Sequence, residues 1–213
     1  MTFIQPYDSP LGDILLAADE TGLTGLWFEG EKYFANNLPQ KHIRQETPIL
    51  SETKRWLDIY FTGKEPDFIP PLHPIGFSFR QAVWSILLQI PYGQTVTYGE
   101  IAQQLARQQG IARMSAQAVG GAVGHNEISI LIPCHRVVGT NGSLTGYAGG
   151  IHKKIRLLEL EHTDTSRFLF RKGNGAVMAS KSGMQVIRRK AYEALPGIMF
   201  HAPAPCALPV SPG

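Results

Sequence analysis

Cysteine is scarce in this chain: its 213 residues hold only Cys134 and Cys206. That count and spacing argue against a disulfide framework and against a cysteine-based zinc site. Long apolar runs are missing as well. None approaches the ~20 residues that a membrane span requires. Charge is low, with 17% of residues charged and a formal net charge of +3. Such a balance permits a nucleic-acid partner without demanding one. Met1 to Pro10 has no basic start leading into an apolar run, so we expect no secretion signal and a reducing, cytoplasmic setting. There is no internal repeat and no coiled-coil heptad, so a monomer is expected. What remains is the composition of a globular protein, 43% hydrophobic and long enough for one large domain or two small ones.

Chemistry concentrates in one stretch, Ile130-Leu-Ile-Pro-Cys-His-Arg-Val-Val138. The apolar run before Pro133 predicts a buried strand. Pro133 removes a backbone donor and breaks it. A thiol, an imidazole and a guanidinium follow, and Val137-Val138 return to the core. Most lone intracellular cysteines are small buried hydrophobes. Here, however, the thiolate needed for attack has a base beside it in His135, provided the bend brings the ring round. Such a base needs an orienting acid. Arg136 reads first as the cation of a structural ion pair.

The flanking chain predicts an α+β fold. Phe3–Tyr7, Ile14–Ala18 and Leu23–Phe28 alternate with turns at Asp8–Gly12 and Asp19–Gly22, which is an antiparallel meander. Thr47 and Pro48 start a helix whose Ile49, Thr53, Trp56, Leu57 and Tyr60 share a face, ended by Gly63. Four prolines between Pro66 and Pro74 read as an extended linker and the main boundary. The second part is mostly helical. Ser78 is the expected cap of a helix ending at Pro91-Tyr92-Gly93, with Trp84 in its core face. Thr97 caps the next helix, to about Arg107. After a turn at Gly110, Ser115 caps a third, through Ala122, rich in alanine and glycine. This pair is a helix-turn-helix candidate. Its second member is poor by propensity, each glycine costing about 1 kcal/mol, so close approach to a neighbour or a groove is the expected reason for its composition. Ser143–Gly150 is a glycine-rich loop without the Lys-Ser/Thr of a phosphate loop; it suits a flat apolar substrate, with Tyr147 as a wall. A last helix runs from His152 to about Glu161, with Ile155, Leu158 and the stem of Lys154 or Glu159 inward. From Gly173 the chain predicts a mostly disordered tail of about 40 residues, with one helix near Val186–Leu195.

Ser115-Ala-Gln-Ala-Val-Gly-Gly-Ala-Val-Gly-His-Asn126 followed by Ile132-Pro-Cys-His-Arg-Val-Val138 closely resembles the O6-alkylguanine-DNA alkyltransferases, also called methylated-DNA–protein-cysteine methyltransferases. Gly146–Gly150 resembles their substrate loop, Thr97–Glu100 their helix-turn-helix entry, and Ser9–Gly12 the start of their N-terminal domain. The resemblance spans about Phe3 to Arg171. It implies a ribonuclease-H-like N-terminal domain over residues 1–72, a DNA-binding alkyltransferase domain over 73–172 and the tail over 173–213. It implies a DNA repair protein that binds the minor groove, flips the damaged guanine out of the duplex, and moves an alkyl group from O6-alkylguanine, with O4-alkylthymine a further candidate, onto its own cysteine once. By that resemblance Cys134 is the acceptor, His135 the base acting through water, Glu161 its orienting acid and Asn126 the brace of the bend. Tyr98 would push the target phosphate. Ser115, Gln117 and Arg136 would lie on DNA or substrate, and Tyr147, Ala148 and Gly149 would contact the flipped base. No cofactor and no metal are expected.

Two departures from the family pattern stand out. Gln117 occupies the place where an arginine commonly fills the gap left by the flipped base. Glu127 follows Asn126 where proline is usual, which predicts a looser segment and a negative charge near DNA. Other classes stay open at this level: a helix-turn-helix lesion sensor or regulator without turnover, and a cysteine hydrolase, which would need an oxyanion hole not evident in the chain. Alkyltransferase-like binding proteins lack the acceptor cysteine that Cys134 supplies.

Overall fold

Apolar alternation builds the first layer. In the computed structural model, which describes residues 1–144, 146–172 and 175–178, strands β1 (Phe3–Ser9), β2 (Gly12–Ala18) and β3 (Leu23–Phe28) form the expected antiparallel meander. The turn between β1 and β2 is held by Ser9, whose hydroxyl donates to Gly12 O at 2.6 Å and accepts from Leu11 N–H at 3.1 Å. A short strand absent from the sequence reading, β4 (Ile43–Arg44), adds to β1 in parallel, so the sheet is mixed with order β3-β2-β1-β4. Helix α1 (Pro48–Tyr60) begins at Thr47, whose side chain accepts from Leu50 N–H. It buries Thr53, Trp56, Leu57 and Tyr60 as the helical spacing predicts, with Leu50 rather than Ile49 as the buried residue of the first turn.

β3 is buried along its whole length because its second edge is also used. Leu23 exchanges backbone hydrogen bonds with Pro71 and His73, and Leu26 with Glu127 and Ser129, at 2.7–2.9 Å. The proline-rich segment is therefore extended, as its composition predicts, but it is stitched to the sheet rather than loose. One hydrophobic core follows, in which Leu16, Leu26, Phe28 and Tyr60 pack with Val83, Trp84, Ile128, Ile132 and Cys134.

Helix α2 (Ser78–Leu87) starts one residue earlier than the cap pattern predicts. Phe77 is the N-cap, without a side-chain bond, and its carbonyl accepts from Gln81 N–H. Trp84 is core, donating Nε1–H to Ala122 O at 3.0 Å. Strand β5 (Val96–Thr97) pairs in parallel with β6 (Val137–Val138), which sets the start of helix α3 (Tyr98–Gln109) against the Cys134–Arg136 segment. Thr97 and Glu100 form a reciprocal capping box, and Gly110, at φ +66°, ends the helix in the left-handed conformation that glycine adopts without strain. Helix α4 (Ala116–Gly124), capped by the Ser115 hydroxyl, completes the helix-turn-helix and runs two residues beyond the expected end.

The apolar run before Pro133 is not a strand. Ile128 makes a single bridge to β3, and the chain then turns tightly through Ser129–Leu131 with Ile130 at φ +70°. Asn126 is the physical reason. Its side chain accepts from Ile128 N–H and donates to the carbonyls of Ile128 and Ile132, gathering into a turn the backbone groups that a ladder would use. Cys134 opens a 3-10 turn over Cys134–Arg136. Helix α5 (Ile151–Leu160) stops just before Glu161. Beyond it, β7 (Leu169–Lys172) pairs antiparallel with β8 (Gly175–Met178), so part of the expected disordered tail, Gly175–Met178, is a strand. The helix expected near Val186–Leu195 lies outside the described residues.

Packing within the protein does not demand the glycines of α4. A side chain at Gly120 would sit against the Tyr98 ring at 3.8 Å, whereas one at Gly121 or Gly124 would meet nothing. Gly121 thus costs helix stability and relieves no contact within the protein. Gly121→Ala is expected to stabilise the fold by about 1 kcal/mol, read as a rise of about 2–4 °C in the thermal midpoint. An unchanged or lower midpoint would mean that the open space is needed for folding.

Candidate active site

Glu161 sits where three parts of the chain converge. Its Oε1 accepts from the Tyr60 hydroxyl of α1 at 2.7 Å, from His135 Nε2–H at 2.7 Å and from Arg136 Nη2–H at 3.0 Å. Its Oε2 accepts from Arg136 Nε–H at 2.8 Å and from Gly93 N–H at 3.3 Å. Gly93 is at φ +73°, and a side chain there would come within 2.8 Å of the Glu161 carbonyl oxygen. The Pro91-Tyr92-Gly93 stop of α2 is thereby also a seat for the carboxylate. Burial by itself would raise the carboxyl pKa, but His135 and the Arg136 guanidinium outweigh it and hold Glu161 well below the usual carboxylate range.

His135 is fully buried. Because a carboxylate can only accept, its Nε2 carries the hydrogen, and Nδ1 is the basic atom. Nδ1 has no hydrogen-bond partner among the described residues. Burial keeps the imidazole pKa below its ordinary value against the pull of Glu161, so the ring is a neutral base in a fixed tautomer.

Cys134 is 5% exposed, and its Sγ accepts from Asn126 Nδ2–H at 3.1 Å. Burial pushes its pKa up to about 11, and Glu31 adds to this; the Asn126 hydrogen bond and the charge of Lys154 pull the other way. At neutral pH it is a thiol and must lose its proton to react. Asn126 therefore shapes the turn and polarises the sulfur with one amide. Lys154, read from sequence as an apolar stem, is buried, donates to Val137 O and has its pKa lowered to about 8 by burial. It brings positive charge to the thiol's surroundings. Tyr60 and Lys154 are polar contacts of this cluster that sequence reasoning missed. A buried tyrosine or lysine requires a polar partner, but nothing in the sequence names it.

A cavity of about 630 Å³ is lined among others by Tyr98, Gln117, Gly121, Gly146, Tyr147 and Ala148, and Cys134 lies behind this lining rather than in it. Tyr98 and Tyr147 are also close enough to Cys134 for its charge to raise both phenol pKa values, that of Tyr98, mainly through burial, to about 12. The Tyr147 hydroxyl is buried without a hydrogen bond among the described residues; Ser129 lies alongside without reaching bonding geometry. Gln117 is exposed on the first turn of α4, and the Ser115 hydroxyl is used as its cap.

Arg136 is the cation of the structural ion pair that its sequence context first suggests: besides Glu161 it donates Nη1–H to Ile90 O at 2.6 Å and lies over the Tyr92 ring, so these donors are spent inside the protein rather than on DNA or substrate. Glu127, expected to loosen its segment and to bring a negative charge near DNA, is instead held inside the protein. It is buried, accepts from Trp27 Nε1–H at 2.8 Å, and has its pKa raised by burial.

The model of the 6-O-methylguanine DNA methyltransferase ribonuclease-like domain matches residues 4–74, and that of the DNA binding domain matches residues 78–163. The chain is 41% identical over 156 residues to the methylated-DNA–protein-cysteine methyltransferase of Haemophilus influenzae, covering 73% of this chain and 83% of the relative. To that of Mycobacterium tuberculosis it is 42% identical over 161 residues, covering 76% and 93%. Among solved structures, Mycobacterium tuberculosis OGT in complex with DNA superposes with a TM-score of 0.65 at 41% identity, over 75% of this chain and 92% of that one. An O6-methylguanine DNA methyltransferase from Methanococcus jannaschii gives 0.51 at 28% identity, over 79% and 98%.

Removing the charge of Glu161 strands the Arg136 cation in a buried place. Glu161→Gln is expected to cost about 3–5 kcal/mol in urea denaturation. Because its folded pKa is depressed, Glu161 contributes stability that is complete above its unfolded value near ~4.3 and drains away as pH falls below it. The wild type should show this acid-side slope and Glu161→Gln should have less of it; equal slopes would remove Glu161 from the account.

Proposed function

The chain belongs to the O6-alkylguanine-DNA alkyltransferase family and is a DNA repair protein that transfers the alkyl group of O6-alkylguanine to a cysteine; on that premise we propose that Cys134 is the acceptor and that His135, Glu161 and Asn126 make it reactive. The observation that carries this reading is the tautomer-fixed, partner-free His135 Nδ1 in the same buried cluster as a thiol held by Asn126.

In this mechanism the Cys134 proton passes to His135 Nδ1 through a bridging water. The thiolate attacks the alkyl carbon, a new S–C bond forms as the C–O6 bond breaks, and the electron pair leaves with guanine, which takes up the proton. A thioether has no ready path back, and the protein acts once, in keeping with the suicide methyltransferases of its family. The alkylated base must leave the stack to reach a buried sulfur. Double-stranded DNA carrying the lesion lies against α4, with Gly121 and Gly124 giving the groove open ground. Tyr98 stands at the entrance, and the unbonded Tyr147 hydroxyl meets a polar atom of the flipped base. Residues 1–72 and 73–172 act as a supporting and a DNA-binding domain, the first supplying Tyr60 to the catalytic carboxylate.

The test is intact-protein mass spectrometry after mixing with a short duplex carrying one O6-methylguanine. One methylene gained per molecule, mapped to Cys134 and absent from Cys134→Ser, is the expected result. A gain elsewhere would move the acceptor, and lesion-selective binding without gain would point to a sensor. Gln117 offers a hydrogen bond but no charge where the family commonly has arginine. Gln117→Arg is expected to gain about 1 kcal/mol in flipping, roughly a fivefold faster transfer on duplex DNA; no gain would show that this position does not limit the rate.

A further inference from the structure

Three side chains at one lip of the cavity have no part in the chemistry above. Lys32 and Tyr33 follow β3, and His125 follows α4. The Tyr33 and His125 rings stack with centroids 4.3 Å apart and planes 25° from parallel. Lys32 Nζ lies 5.0 Å from the Tyr33 ring centroid. Backbone and ring bonds fix this group in place. His125 donates Nδ1–H to Gly121 O at 2.7 Å, and Lys32 donates its N–H to Ala148 O at 3.2 Å. The N-terminal half thus reaches both α4 and the substrate loop.

The three residues line the same cavity as Tyr98, Gln117 and Tyr147, and none of the residues lining it is acidic. The two carboxylates next to them in sequence are withdrawn. Glu31 is buried and accepts from Phe28 N–H, and Glu127 is buried and accepts from Trp27 Nε1–H. Tyr33 is already covered by its own neighbours, so it is not an open platform for a base. What the lip presents is an ammonium and a phenol hydroxyl, two donors that meet phosphate oxygens, braced by an imidazole whose Nδ1–H is spent on Gly121 O.

We infer that Lys32, Tyr33 and His125 form a phosphate-binding lip that grips the backbone of the DNA strand entering the cavity, contributed largely by the half of the chain that carries no helix-turn-helix. This rests on the DNA reading of the site. It also gives the chain a positive contact near the cavity where Gln117 supplies no charge.

The test is binding of lesion-bearing duplex, measured by fluorescence anisotropy at several salt concentrations. Lys32→Ala should weaken binding roughly threefold to tenfold at ~0.1 M salt and reduce the log–log salt slope by about 0.9, the value of one phosphate contact. Lys32→Arg should restore both. Tyr33→Phe keeps the ring stack and loses the hydroxyl, so affinity should fall about twofold to fivefold with the slope unchanged. Wild-type slopes and affinities in Lys32→Ala and Tyr33→Phe would overturn the lip. A wild-type protein that neither binds the duplex nor gains a methyl would instead overturn the reading of the whole site.

Discussion

The Glu161 carboxylate is the constraint on which the site depends. A buried anion is tolerated only when donors surround it, and here they come from α1, from the stop of α2 and from the residues just after the cysteine. The same contacts that stabilise the charge fix the His135 tautomer and hold Arg136 against Tyr92. Structural and chemical roles are therefore inseparable at this residue. In the proposed mechanism, the base that activates the thiol is oriented by the group that ties the chain's two halves together.

Around that carboxylate the fold trades stability for access. Ile130 is held at φ +70°, where a β-branched residue costs energy, because the turn it makes delivers Cys134 to Asn126. Lys154 is buried beside the thiol at a cost to its own charge. Glycines in α4 weaken the helix and leave its outer face open beside the cavity. Strain of this kind persists where the surrounding structure over-determines it. Here that surrounding is the core shared by the sheet and the helices, together with the stitching of β3 to the Glu127–Ser129 segment.

Elements with a strong local signal were legible in the sequence. The β1–β3 meander, the Thr47 and Thr97 caps, the Gly110 stop and the helix-turn-helix pair all follow from periodicity and capping chemistry. The residues gathered at the site were legible through family resemblance in Pro133–Val138 and Asn126. What escaped depends on contacts distant in sequence. The strand expected at Ile130 is a turn because the Asn126 side chain takes backbone groups of Ile128 and Ile132 on either side of it. Tyr60 reaches Glu161 across 101 residues, and Trp27 reaches Glu127 across 100. Arg136 has the residue type for DNA contact, and only its surroundings reveal that its donors are committed elsewhere. Glu127 reads as a loosening, negatively charged residue near DNA until the indole that binds it is known.

The central claim is that Glu161 sets His135 as a neutral base with Nε2 protonated and Nδ1 free. Nitrogen-15 NMR of the His135 ring at neutral pH tests it most directly. The account predicts one protonated nitrogen, Nε2, coupled to a hydrogen-bonded proton that is lost in a Glu161→Ala variant, with Nδ1 unprotonated. A ring protonated at Nδ1, or at both nitrogens, would contradict it, because no basic atom would then be left to take the proton of Cys134.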